Sequence, residues 1–198
     1  MIELKRKLIH FTGLTVPTMY IYFGRDITLS FLIIILAIFI IFESVRLDAR
    51  LREEIKKALK LYIRIEDFER VIEEITRAHE RGRIGAHIYF VIGALFVVWF
   101  APEFSVGVIS VAVISDALAS LIGRFGRLRF KNKSFEGFLA YFISALLILN
   151  YLNYPMPYII SLAGALVEFL RIPPDDNFSC QVAMSITAII LKSLPLQF

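Results

Sequence analysis

Seven stretches of this chain are long and apolar enough, or nearly so, to cross a lipid bilayer, and this limits its folds more than any other feature. A helical span needs roughly 20 mainly apolar residues, with about 17 as a lower limit. Residues 8–24, 27–45, 84–100, 104–123, 135–152, 156–172 and 178–195 meet or approach that length. The shorter ones remain usable because flanking Lys and Arg can reach back to the interface. Short turns separate spans one and two (GRD), three and four (APE) and five and six (NYPMP), each punctuated by Gly or Pro. The expected fold is an all-α integral membrane protein of about seven transmembrane helices, forming one polytopic domain over residues 1–198.

Composition agrees with that class. Hydrophobic residues make up 58% of the 198, with eighteen phenylalanines and one tryptophan, where soluble domains run at about 45–50% apolar. Mean hydropathy is +0.69. The single cysteine, Cys180, excludes an intramolecular disulfide and a thiolate metal site, and reads as a small apolar filler. The opening MIELKRKLIHFTGLTVP is basic and then apolar, like a signal peptide. It lacks a small-residue cleavage site, so we expect a retained first span. There is no internal repeat and no low-complexity tract.

Charge orients the spans. Lys5, Arg6 and Lys7 precede the first; eleven Lys/Arg lie from Arg46 to Arg83, five from Arg124 to Lys133, and Arg171 follows the sixth span. With an odd number of spans these all fall on one side, leaving only Arg25 and Lys192 on or toward the other. The positive-inside rule then puts the N-terminus in the cytoplasm. The polar stretch 46–83 carries apolar residues at helical spacing (Leu47, Leu51, Ile55, Leu59, Tyr62) and favourable i,i+4 pairs such as Glu53 with Lys57. It is expected to form two amphipathic cytoplasmic helices between spans two and three. Its alternating charge marks a solvated, membrane-hugging connector and not a nucleic-acid site.

Acids inside spans cost about 2.5–3.5 kcal/mol each at the bilayer centre, so each needs a reason. Glu43, Asp116, Glu136 and Glu168 all come at the cytoplasmic end of their spans, as do Glu3, Arg6, Lys7, His10, Asp175, Asp176 and Asn177. Asp116 precedes Arg124 by about 12 Å of helix, too deep for a surface charge. Bland readings exist for several. Glu43 can pair with Arg46, Glu168 with Arg171, and Asp175 and Asp176 can shape the turn after Pro173 and Pro174. Carboxylates facing a basic loop at a membrane surface suit a Mg²⁺-nucleotide, since Mg²⁺ is held by one or two carboxylates plus phosphates. Phosphates also favour helix N-termini, and Ser134 and Asn177 are good N-cap residues for the fifth and seventh spans. The loop GRFGRLRFKNKS lacks the G-x-x-x-x-G-K-[ST] pattern, so a nucleotide here needs another binding scheme.

The blocks SDALASLIGRFG, KNKSFEG and VEFLRIPPDDN resemble the dolichol kinase family of CTP-dependent polyprenol and lipid kinases, which borders on the phosphatidate cytidylyltransferases. The matching positions are Asp116, Ala119, Gly123, Arg124, Gly126, Lys133, Ser134, Glu136, Gly137, Glu168, Asp176 and Asn177. The opening ELKRKLIHFTG is similar at Glu3, Arg6, Lys7 and His10. Ser115 stands where the family usually has Gly. The length suits compact prokaryotic or archaeal-type members. The resemblance implies transfer of the γ-phosphoryl group of CTP to a polyprenol- or dolichol-type alcohol at the cytoplasmic membrane face. It implies Mg²⁺ held by Asp116 and Asp176, with Asp116, Glu136 and Glu168 as catalytic acids. Gly123, Arg124, Gly126, Lys131, Lys133, Ser134, Gly137 and Asn177 would bind the nucleotide, with Arg6, Lys7, His10 and Asp175 in lesser roles. Expected partners are the membrane lipid alcohol, the nucleotide and a second copy of the chain in a homodimer, with no nucleic acid. A CDP-lipid-forming cytidylyltransferase is the alternative, because it uses the same nucleotide, metal and membrane face. A small transporter is disfavoured, because the outer halves of the spans carry almost no charge.

Sidedness is directly testable. In the parent chain, Leu128→Cys should be labelled by an impermeant thiol reagent only from the cytoplasmic face, and Asn153→Cys only from the opposite face. Labelling of both from one face would overturn the seven-span arrangement.

Overall fold

The computed structural model describes residues 10–48, 50–51, 54, 84–130 and 132–194. A 3₁₀ turn at Thr12–Leu14 leads into α1 (Thr15–Leu47), followed by α2 (Ala86–Phe100) and a 3₁₀ turn at Pro102–Phe104. Then come α3 (Ser105–Gly123), two short strands β1 (Arg129–Phe130) and β2 (Lys133–Ser134), α4 (Phe135–Tyr151), α5 (Pro157–Leu170) and α6 (Asp176–Ser193). The described residues are mostly helical. The sequence reading did not anticipate the two-residue antiparallel pair, in which Arg129 faces Ser134 and Phe130 faces Lys133. The amphipathic segment expected at 46–83, and Glu3, Arg6 and Lys7, lie wholly or largely outside the described residues.

Each helix stops where its local chemistry stops it. Gly24 takes φ 74° and ψ −173° inside α1, a conformation open essentially only to glycine. Past this break, Arg25 donates to the Trp99 carbonyl (3.0 Å) at the far end of α2, while Glu43 accepts from Gly85 N (2.6 Å) at its start. The longer half of α1 therefore runs antiparallel to α2, and the break does the work expected of the GRD turn. Asn153 and Met156 take positive φ between α4 and α5, and Pro157 opens α5 at the position where a missing N–H costs nothing. Arg171 closes α5 in the left-handed region. Ser134 caps α4 by accepting from Gly137 N (3.1 Å), as expected. Asn177 does not cap α6. Asp175 has the extended backbone of an N-cap, and its carboxylate accepts from Asn177 N (3.0 Å).

Packing places α4 along α3 and α5 between α4 and α6, with α2 joining α6 to α1. Small residues permit this. A Cβ on Gly137 would stand 2.9 Å from the Ala119 carbonyl and 3.2 Å from Gly123 Cα, so α3 and α4 meet backbone to backbone. The core runs through Val97, Val108, Val111, Ile109, Leu149 and Met184, all fully buried. At the end of the bundle away from Asp116, Tyr154 ties down the start of α3: its hydroxyl accepts from Gly107 N (2.8 Å) and donates to the Phe104 carbonyl (2.7 Å). That serves one of the N–H groups a helix start leaves unpaired.

Two stretches, Thr12–Leu47 and Pro102–Gly123, are helical, long and apolar enough to cross a membrane; α2, α4 and α5 are apolar and shorter. Within the first, only 22% of its most apolar 18-residue window is buried, which is not how the core helix of a soluble domain sits. Ile33, Ile34 and Ile41 are each more than half exposed. Outward apolar surface on this scale marks contact with lipid or protein.

Gly24→Ala tests the break. A Cβ at Gly24 meets nothing within 4 Å, so any cost is purely one of backbone conformation. We expect about 1–3 kcal/mol of destabilisation, read as a lower apparent melting temperature in detergent.

Candidate functional site

Four helices bring their polar residues to one end of the bundle. Asp116 from α3, Tyr141 from α4, Glu168 from α5 and Asp176, Asn177 and Cys180 from α6 line a cavity of about 10 Å³, on the order of one water molecule. Glu168 is 3% exposed, and the side chains of Asp116 and Asp176 are about one-quarter exposed. The site thus grades from a buried floor to an accessible rim. The positions come from helical spacing: Ala112 and Asp116 share a face of α3, while Gly137, Tyr141, Ala145 and Leu149 form the buried stripe of α4.

Among the described residues, Lys133 brings positive charge to this site. Its Nζ pairs with Glu168 and lies 3.0 Å from Asp176 Oδ2. The β1–β2 turn carries it there, and Phe130 stacks on Phe169 of α5 with ring centroids 5.7 Å apart, docking the turn on the bundle. Burial disfavours the ammonium, but the carboxylates of Asp176 and Glu168, the hydrogen bond to Glu168 and the charge of Asp116 outweigh it. Together they raise the Lys133 pKa above the usual lysine value. Although it comes from the basic loop after α3, the Lys133 side chain is only 16% exposed.

His10 joins from the start of the described chain. Its Nε2 donates to the Val113 carbonyl (3.1 Å) and lies 3.4 Å from Asp116 Oδ2. Asp175 is the N-cap of α6, and its Oδ1 also accepts from Asn177 Nδ2 (2.9 Å). Glu136 is not among the residues lining the cavity; its Oε1 accepts from Arg127 N (2.8 Å), which closes the loop after α3. Arg124 lies on the surface, its guanidinium over the Phe125 ring at 5.2 Å and its Nε donating to the Leu121 carbonyl (3.2 Å). Gly123 and Gly137 serve the α3–α4 contact, and Gly126 packs beneath Ser134 and Glu136. Lys131, like Arg6 and Lys7, lies outside the described residues. The local pairings open to the acids fare differently. Glu43 does pair with Arg46, its neighbour one turn on, whereas Glu168 pairs with Lys133, distant in sequence.

Three further residues emerge from the structure. Tyr141 is 1% exposed; its hydroxyl has the Cys180 thiol beside it and makes no hydrogen bond of normal geometry among the described residues. Cys180, expected to be filler, lines the cavity and faces the Gly164 carbonyl at 3.5 Å. Gln181 donates from Nε2 to the carbonyls of Phe90 (3.1 Å) and Asn177 (2.8 Å), binding α6 to α2 beneath the site. The i,i+4 step from Gly137 to Tyr141 and from Asn177 to Gln181 was the available signal in the sequence.

Chemically, three carboxylates face one ammonium across a small cavity. Oxygen donors of this kind suit a hard divalent cation, so the residue types fit one. Among the described residues no three ligating side chains stand close enough to hold an ion in this conformation; Lys133 provides the compensating charge.

The chain is similar to known proteins. Over 96 residues the chain is 38% identical to an uncharacterised protein of Methanocaldococcus jannaschii, covering 46% of this chain and 50% of that protein. Over 149 residues it is 30% identical to a dolichol kinase of Schizosaccharomyces pombe, covering 67% of this chain and 27% of the kinase. The chain thus matches half the length of one curated relative and about a quarter of the other. No family model matches the chain, and no solved structure matches it.

The Lys133 bridge gives a stability prediction. Removing one member of a buried pair strands the rest, at about 3–5 kcal/mol. Lys133→Met should lower apparent thermal stability by that order, and Glu168→Gln in the same background should recover part of it. Because the lysine pKa is raised, its contribution is complete below the ordinary lysine value and is lost only as pH rises beyond it. The gap between parent and variant should therefore stay constant from neutral pH to about pH 9.

Proposed function

We propose that the chain is a CTP-dependent kinase of polyprenol- or dolichol-type lipid alcohols, lying in the membrane as seven spans with its acidic cavity toward the cytoplasm. The observation that supports this most is the convergence of Asp116, Glu168 and Asp176 from three helices on one cavity. The similarity to a dolichol kinase supports the same reading.

The reaction breaks the bond between the γ-phosphorus and its bridging oxygen, forms one from phosphorus to the lipid oxygen, and moves the hydroxyl proton to a base. Such transfers depend on positioning and charge neutralisation. Asp116 and Asp176, at the accessible rim, would hold Mg²⁺, whose charge offsets that of the phosphates when bound. Glu168 lines the cavity and Glu136 does not, so Glu168 is the better placed to accept the proton. Lys133, once displaced from Glu168 and Asp176, has the charge and reach to hold a phosphate oxygen. The nitrogen of Asn177 and the cap of Asp175 set the start of α6 against the same space.

Purified protein in detergent, given Mg²⁺, CTP or ATP, and either geranylgeraniol or its monophosphate, tests this reading. Nucleoside diphosphate and lipid monophosphate are expected from the alcohol. Pyrophosphate released with the lipid phosphate would instead make the chain a cytidylyltransferase, and no product from either would overturn both. Asp116→Asn should stay folded, with apo stability at or above the parent, because it relieves repulsion among the acids. It should lose roughly 100-fold or more of the activity.

A further inference from the structure

A second, much larger cavity of about 590 Å³ opens beside the acidic one, within the roughly 300–1,000 Å³ range of ligand sites. One wall is a stripe of α1: Phe31, Ile35, Ile38, Phe39 and Phe42. These recur at helical spacing and extend for about 16 Å along the axis. The other wall is the start of α2, with Phe90 and Val91. His87 is held there edge-on to Phe39 at 4.8 Å between centroids. The lining is polar at its junction with the acidic site, through His10, Thr12, Thr15 and Asn177.

Two features connect the cavities. Asn177 lines both. His10 lines the larger one while its Nε2 lies 3.4 Å from Asp116 Oδ2 in the smaller. The side of the trough is exposed at Ile38, which is 52% exposed. A molecule in the lipid phase can therefore enter sideways, without leaving hydrocarbon.

We infer that this trough is the chain-binding site for a long-chain lipid alcohol. The apolar tail lies along α1, and the hydroxyl reaches the His10–Asn177 end, next to Asp116. The assignment rests on the proposed lipid-kinase reading for its headgroup chemistry, but it makes a separate claim: binding requires the α1 stripe and no nucleotide. His10 and Asn177 have the hydrogen-bonding groups that a hydroxyl needs when it leaves the interface. A ligand without a polar end would leave that part of the trough poorly satisfied.

The test is binding of geranylgeraniol to detergent-purified full-length protein, without nucleotide, followed by native mass spectrometry. Ile35→Trp and Ile38→Trp fill the trough and should weaken binding about tenfold or more. Ile33→Trp, on the exposed opposite face of the same helix (Ile33 is 58% exposed), should bind as the parent does. A photoreactive geranylgeraniol analogue on the unmodified chain should label peptides from 31–42 and 86–91, a readout that needs no variant to fold. Absence of binding by the parent would overturn the assignment. Equal effects of all three tryptophans, or labelling elsewhere, would overturn it too. Binding in the trough without any phosphorylation would refute the kinase reading and leave the trough assignment standing.

Discussion

The ammonium of Lys133 between Glu168 and Asp176 is the contact on which the candidate site depends. Carboxylates on neighbouring helices repel one another, and more strongly in a partly buried site than in water. A compensating cation lowers the cost of keeping the acids of α3, α5 and α6 on one cavity. Lys133 supplies it from a two-residue β pair, set on the bundle by the stacking of Phe130 on Phe169. A lysine suits this place better than an arginine would, because its charge is compact, its stem is flexible and it can be displaced.

The rest of the bundle gives that contact a rigid frame. Gly123 and Gly137 bring α3 and α4 together, and Gln181 ties α6 to α2 just below the acids. Tyr154 fixes the beginning of α3 at the opposite end. Polar bonds are thus concentrated at the two ends of the helices, with a core of Val, Ile, Leu and Ala between them. Arg25 with Trp99, and Lys192 with Glu103, are the corresponding pairs at the end away from the acids.

Much of this was legible in the sequence because it is one-dimensional. The apolar runs located α2 to α6, the Gly, Pro and Ser signals located their breaks, and the Glu43–Arg46 pair follows from helical spacing alone. The grouping of Asp116, Glu168, Asp176 and Asn177 was readable because all four fall at the same end of their spans. What could not be read depends on contacts distant in sequence. Glu168 has Arg171 three residues away yet pairs with Lys133, 35 positions back. Glu136 looks like a site acid but turns to a backbone N–H nine residues before it. Tyr141 and Cys180 are apolar enough by type to pass as packing, and only the meeting of α4 with α6 gives them a polar neighbourhood. The α6 cap moved from Asn177 to Asp175 because either residue type can cap, and backbone conformation decides between them.

The Glu43 carboxylate also bonds Arg46 and the backbone N–H of Gly85, 42 positions later. One buried carboxylate therefore holds the end of α1 and the residue that opens α2. For a segment whose ends are fixed this way, doubling the length costs only about 0.6 kcal/mol of closure entropy. Glu43 thus acts as a clasp: the spacing of α1 and α2 at this end is set by the carboxylate itself and not by the length of the connection between them.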